Sequence, residues 1–175
     1  MKRGLIWLPL GAFALLFAVV ASGLVRPADR TVRSAMIGKD IPTFSLPAMV
    51  PGKPGLGSAV FHQGQPRLLN IFASWCIPCM AEAPQLKQIQ QQGVEIDAIA
   101  IRDTAPAVRG FLQRYGDPYA RIGSDVDSSV QLALGSSGVP ESFVIDGQGR
   151  IVLQHVGDIR AEDVAEIVAA VRNTR

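Results

Sequence analysis

The hydrophobic pattern of this chain changes period several times, and each change marks an element. Gly4 to Val25 is a run of 22 residues without a charge. At ~1.5 Å per residue such a run can cross a bilayer core as a helix. Lys2 and Arg3 precede it, so a cleaved signal peptide is the competing reading. The run exceeds the usual apolar core of a signal, about 7–15 residues, and no clear Ala-x-Ala closes it. The pattern therefore predicts an uncleaved anchor over residues 1–25. Arg26, Arg30 and Arg33 follow the run, so charge alone does not orient it. Residues 26–37 predict a polar tether, and residues 38–175 a domain with a full-sized core.

Within that domain, Phe44 and Leu46 lie two apart, as one face of a strand requires. Residues 48–59 are rich in Gly and Pro and predict a loop. Residues 67–73 are apolar on both faces, the mark of a strand covered on both sides. A helix is predicted over 77–92, with Pro84 inside it and Gly93 at its end. Residues 94–101 predict a strand. Val108, Phe111, Leu112 and Tyr115 recur at helical spacing within 104–115. A short strand at 120–123 and a short helix at 127–134 follow. Strands at 141–146 and 150–155 are joined by Gly147-Gln148-Gly149, a hairpin signal. Val164, Ile167, Val168 and Val171 share one face of a closing helix. Strands alternating with helices give an α/β class. There is no internal repeat.

Charge narrows the partners. The net charge of +2 is accounted for by Lys2 and Arg3, since 2 − 2 = 0 for the rest. A neutral domain gives no electrostatic reason to bind nucleic acid.

The chemistry centres on Cys76 and Cys79, the only cysteines. They follow the apolar strand through Ala73-Ser74-Trp75 and are separated by Ile77-Pro78. A pair this close can form a staple, half of a metal site or a redox dithiol. Structural zinc wants four ligands, and His62 and His155 have no local paired spacing. A strand that hands over to a helix at the first cysteine puts that thiol at a helix N-terminus. Free backbone N–H groups there favour the thiolate, which is the nucleophile of thiol–disulfide exchange. The second cysteine lies three positions on, on the same face. Cys76 should therefore be the exposed attacking thiol and Cys79 the shielded resolving one.

These residues resemble the thioredoxin superfamily, and within it the membrane-anchored DsbE/CcmG branch, thiol:disulfide proteins of cytochrome c maturation. The resemblance runs from about Gly38 to Val171. It includes the opening segment Gly38-Lys39…Pro42-Thr43-Phe44-Ser45-Leu46-Pro47, the Trp75-Cys76-Ile77-Pro78-Cys79 stretch, Pro84 five residues after Cys79, and Gly138-Val139-Pro140-Glu141. It implies a thioredoxin-like fold, a central mixed sheet flanked by helices, with extra elements at 120–134. It also implies a cis peptide bond before Pro140, with Val139 offering its backbone to an extended partner, and no cofactor beyond the thiols.

Several further residues take their meaning from the resemblance. Glu82 and Glu141 match acids near the thiol pair of related reductases, where a carboxylate would raise a cysteine pKa. The alternative for both is a solvated surface acid. Asn70 stands six before Cys76, where thioredoxin itself has a buried aspartate; the DsbE-like branch shares the Asn. Trp75 covers the thiols or packs in the core, and His155 is structural. Thioredoxin and DsbA differ by ~150 mV, about 7 kcal/mol. One exposed helix-end interaction contributes roughly 0.3–1 kcal/mol, so no single residue fixes the direction of electron flow. Ile77-Pro78 supplies no cation to hold a thiolate, which favours a reductant.

The expected function is a thiol:disulfide oxidoreductase of the cell inner membrane, single-pass, with its domain in the periplasm. It would reduce apocytochrome c or the thiol relay protein serving it. A membrane thiol transporter would donate the electrons, and residues 4–25 would contact the membrane. The alternatives are a general extracytoplasmic reductase of the TlpA/ResA kind and a copper-binding assembly factor on the same fold. Such factors use three residues between their cysteines rather than two.

Overall fold

The structure is a computed structural model. It describes residues 8–25 and 36–174. The apolar run forms helix α1 (Leu8–Val25, 18 residues), with Leu10, Phe13, Leu15, Leu16 and Phe17 exposed. At ~1.5 Å per residue it spans about 27 Å, short of a bilayer core of about 30 Å. No helix among the described residues is long and apolar enough to cross a membrane. The expected anchor needs residues 4–7 as well, which lie outside the described residues, as do residues 26–35 of the tether.

Residues 33–175 form a second compact unit, which holds every strand among the described residues. Its elements are β1 (Ser45–Leu46), β2 (Leu56–Gly57), β3 (Arg67–Phe72), α2 (Ile77–Gln91), β4 (Ile96–Ile101), α3 (Ala105–Tyr115), β5 (Tyr119–Asp125), α4 (Ser129–Ala133), β6 (Glu141–Ile145), β7 (Ile151–Val156) and α5 (Val164–Asn173). Five strands form one sheet in the order β5-β4-β3-β6-β7. β3 pairs in parallel with β4 and β4 with β5, while β3–β6 and β6–β7 are antiparallel. This is the mixed sheet that the resemblance implies. The parallel half needs helical crossovers, which α2 and α3 supply.

All six positions of β3 and of β4 are buried, so their apolar runs carry no alternation. Val108, Phe111 and Leu112 of α3 and Val164, Ile167, Val168 and Val171 of α5 are buried as the helical period requires. Phe72 stacks on Tyr119 with ring centroids 5.1 Å apart and meets Phe111 at 5.4 Å. Gly93 ends α2 with φ +82°, a conformation that L side chains rarely adopt.

Two expectations need correction. Residues 48–59 are not wholly loop: Leu56–Gly57 is β2, and it pairs antiparallel with β1. Gly55 permits the close approach, since a Cβ there would stand 2.4 Å from the Leu46 carbonyl oxygen. A two-residue strand has no period to read. The strand expected at 120–123 runs from Tyr119 to Asp125, because it pairs with the whole of β4.

Candidate active site

β3 ends at Phe72, and the chain turns through Ala73-Ser74-Trp75 into α2. The turn is held by Asp103, just beyond β4. Its Oδ2 accepts from the Ser74 N–H at 2.5 Å and its Oδ1 from the Ser74 hydroxyl at 2.9 Å. Cys76 is the N-cap of α2, and its Sγ accepts from the Cys79 N–H at 3.2 Å. Pro78 sits in the first turn, where a missing N–H costs no helical bond. The two sulfurs are joined as a disulfide, with Cα atoms 5.3 Å apart.

Cys76 was expected to be exposed at the junction, and the structure corrects this: it is buried. It is 4% accessible and Cys79 1%. The exposed residues are its neighbours Trp75, Ile77 and Pro78. Trp75 is 55% exposed, which excludes core packing, and its indole N–H donates to the Arg102 carbonyl at 3.3 Å.

Across the sheet, β6 lies beside β3 with Glu141 opposite Ile71 and Ser142 opposite Asn70. That register brings Val139 and Pro140 alongside the end of β3, from which the chain leads to Cys76. The Val139–Pro140 bond is cis, as the resemblance implies. The Pro140 carbonyl accepts from the Gly157 N–H at 3.0 Å, while no bond engages the Val139 main chain among the described residues.

Glu82 and Glu141 are both fully buried, which overturns the solvated-surface alternative. Glu82 lies one turn beyond Cys79 on the buried face of α2. Its Oε1 accepts from Asn70 Nδ2 at 3.0 Å and its Oε2 from the Ile159 N–H at 3.0 Å. Burial raises its pKa from 4.5 to about 7, against the two hydrogen bonds that favour the charged form. Asn70 also donates to Ser142 Oγ at 3.0 Å and accepts from the Tyr119 hydroxyl at 2.9 Å. Burial keeps that phenol protonated, its pKa raised well above the usual value. Asn70 is thus a junction between Glu82, Ser142 and Tyr119. Glu141 Oε2 accepts from the Ser136 hydroxyl at 2.6 Å and the Ser137 N–H at 3.0 Å, and Gln154 donates to Oε1. His155 closes the loop after β7, with Nε2 3.2 Å from the Asp158 carbonyl and 3.7 Å from Asp163 Oδ2.

Sequence reasoning missed Asp103, Tyr119 and Ser136. Asp103 carries one local signal, an acid immediately after an apolar strand where the chain enters a helix. The others carry none.

Known proteins resemble this arrangement. The Redoxin family model matches residues 36–171. The thiol:disulfide interchange protein DsbE of Pasteurella multocida is 39% identical over 158 residues, 88% of this chain and 87% of that protein. The thiol:disulfide interchange protein HelX of Rhodobacter capsulatus is 35% identical over 164 residues, 94% of this chain and 92% of that protein. A crystal structure of a thiol:disulfide interchange protein of the thioredoxin family from Chlorobium tepidum superposes with a TM-score of 0.63 at 26% identity, covering 81% of this chain and 99% of that one. A dithiol pair at a helix N-terminus, on a thioredoxin-like sheet shared with these relatives, carries out thiol–disulfide exchange, and the chain belongs to the Redoxin family as a thiol:disulfide oxidoreductase of the DsbE/HelX kind.

Proposed function

We propose that this chain is a membrane-anchored reductant of c-type cytochrome maturation, acting through Cys76 and Cys79 in the periplasm. The observation that carries the reading is the Val139 main chain, which makes no hydrogen bond among the described residues and lies alongside the end of β3, from which the chain leads to Cys76. An extended polypeptide with its own disulfide can pair with that edge and bring a sulfur to Cys76.

The exchange has two steps. The Cys76 thiolate attacks a partner sulfur, forming a mixed disulfide and releasing one partner thiolate. The Cys79 thiolate then attacks Cys76 Sγ, which re-forms the internal disulfide and releases the second partner thiolate. Two electrons pass to the partner. The Cys79 N–H bond to Cys76 Sγ stabilises the thiolate in the first step. Glu82, buried one turn beyond Cys79 and titrating at about 7, can hold the proton that Cys79 gives up. Trp75, Ile77 and Pro78 form the rim that the partner meets. Glu141 holds the loop carrying Val139 and Pro140.

The partner is apocytochrome c or the thiol relay protein serving it. A membrane thiol transporter re-reduces the pair. Residues 1–25 anchor the chain, 26–37 tether it and 38–175 form the domain. The uncharged run and the kinship with the DsbE and HelX proteins support this. Disruption of the gene should abolish c-type cytochromes while leaving general disulfide formation intact. Loss of both, or of neither, would remove this reading. The full-length chain should fractionate with membranes, and a soluble mature form lacking residues 1–25 would remove the anchor.

A further inference from the structure

The loop that carries Val139 is held from behind by side chains that neither the thiol chemistry nor the hydrophobic core requires. Asp125, at the end of β5, accepts from the Gln131 N–H at 2.9 Å and the Val130 N–H at 3.3 Å, which fixes the start of α4. Gln131 then reaches forward out of α4. Its Nε2 lies 3.2 Å from the Gly138 carbonyl oxygen and 3.4 Å from Ser136 Oγ. Ser136 Oγ lies 2.6 Å from Glu141 Oε2 and 3.1 Å from the Gly138 carbonyl. Asp125, Gln131, Ser136 and Glu141 are all buried.

Counting protons assigns the bonds. The serine hydroxyl has one proton and two acceptors within reach, and the carboxylate is the nearer and stronger. Ser136 therefore donates to Glu141 and accepts from Gln131. The Gln131 amide has two protons. One goes to Ser136 and the other to Gly138, so Gln131 is the donor that fixes the Gly138 carbonyl. That carbonyl belongs to the peptide plane that also carries the Val139 N–H. Turning the carbonyl inward turns the N–H outward. A buried polar network of this kind specifies one orientation, which apolar packing of the same volume would not do.

We propose that Gln131 and Ser136 are positioning residues that aim the Val139 N–H at the main chain of the partner polypeptide, making α4 part of the docking apparatus. The proposal rests on the reading that a partner strand pairs at Val139.

The test uses the reduced full chain and two disulfides. One is a synthetic peptide with an internal Cys-x-x-Cys disulfide. The other is bis(2-hydroxyethyl) disulfide, which has no main chain to dock. Stopped-flow exchange gives a half-saturation concentration and a limiting rate for the peptide. Gln131→Met keeps length and volume but has no donor, and Ser136→Ala removes the relay hydroxyl with little change of volume. In both variants the half-saturation concentration should rise about 3- to 10-fold, the loss of one net hydrogen bond, with the limiting rate unchanged. Exchange with bis(2-hydroxyethyl) disulfide should keep its wild-type rate. Equal slowing with both disulfides, or an unchanged half-saturation in both variants, overturns the proposal. A peptide N-methylated on either side of its cysteines separates the two ideas on the wild-type chain. If N-methylation has no effect, strand docking fails and the proposal falls with it. If it weakens binding while the two variants do not, docking stands and the role of α4 is overturned.

Discussion

The Asn70 side-chain amide donates to Glu82 across the boundary between β3 and α2, Nδ2 to Oε1 at 3.0 Å. This bond ties the central strand to the helix that begins at the disulfide, one turn beyond Cys79. It joins a neutral group to a carboxyl that burial holds at a pKa of about 7.

That pKa makes stability depend on pH. In the unfolded chain Glu82 ionises near 4.5, in the folded chain near 7. Between these values the folded state binds more protons, so stability falls as pH rises. Raising the pKa from 4.5 to about 7 corresponds to roughly 3 kcal/mol, lost as pH rises from about 4.5 to 7. Glu82→Gln cannot ionise and should flatten this part of the profile. Urea unfolding of both proteins from pH 4.5 to 8 measures it. Parallel profiles would show that Glu82 is charged in the folded state across the range.

Tyr119→Phe keeps the stack on Phe72 but removes the hydroxyl that donates to Asn70 Oδ1. The buried amide oxygen then loses this donor, at a cost of about 1–3 kcal/mol. Glu82 keeps its own bonds, so its titration should move little. The checks are urea unfolding and the Glu82 carboxyl resonance followed against pH. Unchanged stability would mean that another donor serves Asn70.

The periodicity of α2 already carried information on Glu82. Cys79, Glu82, Ala83, Leu86 and Ile89 are the buried positions of the helix, spaced i, i+3, i+4, i+7 and i+10. An acid on the apolar stripe of a helix is a buried acid, and that much was legible. The strands of the five-stranded sheet, the faces of α3 and α5, the hairpin and the dithiol were legible for the same reason, since each is a local pattern, whereas the two-residue β2 was not. Partners across the fold were not. Ser74 meets Asp103 from 29 residues away, Asn70 meets Tyr119 from 49, and Glu82 meets Ile159 from 77. The burial of Cys76 was misjudged because a junction between elements says nothing of what covers it.

Asp103 holds the turn ahead of Cys76 through both carboxylate oxygens. Asp103→Ala frees the Ser74 N–H and hydroxyl at a half-buried position. The variant should lose about 1–3 kcal/mol of stability. It should also exchange more slowly with protein disulfides, because Trp75 and Cys76 follow directly on the loosened turn. Unfolding and stopped-flow exchange measure the two effects. A loss of stability with full exchange rates would confine Asp103 to the fold.

The division of labour between the cysteines rests on a bond rather than on exposure. Both residues are buried in the disulfide form, at 4% and 1%. The asymmetry is that Cys76 Sγ receives the Cys79 N–H at 3.2 Å, as the N-cap of α2. A charge at that sulfur is favoured by the helix N-terminus, while Cys79 lies inside the first turn beside a buried carboxyl. We infer that Cys76 is the thiolate that attacks and that Cys79 resolves the adduct. Cys79→Ser removes the resolving thiol and should accumulate a mixed disulfide through Cys76. Cys76→Ser should accumulate little. Both variants should fold, since each exchange changes volume slightly and the reduced form has no bridge to lose. Non-reducing electrophoresis of each variant from whole cells, with mass spectrometry of the adducts, reads the outcome. Equal trapping by both, or trapping by Cys76→Ser alone, would reverse the roles assigned to the two sulfurs.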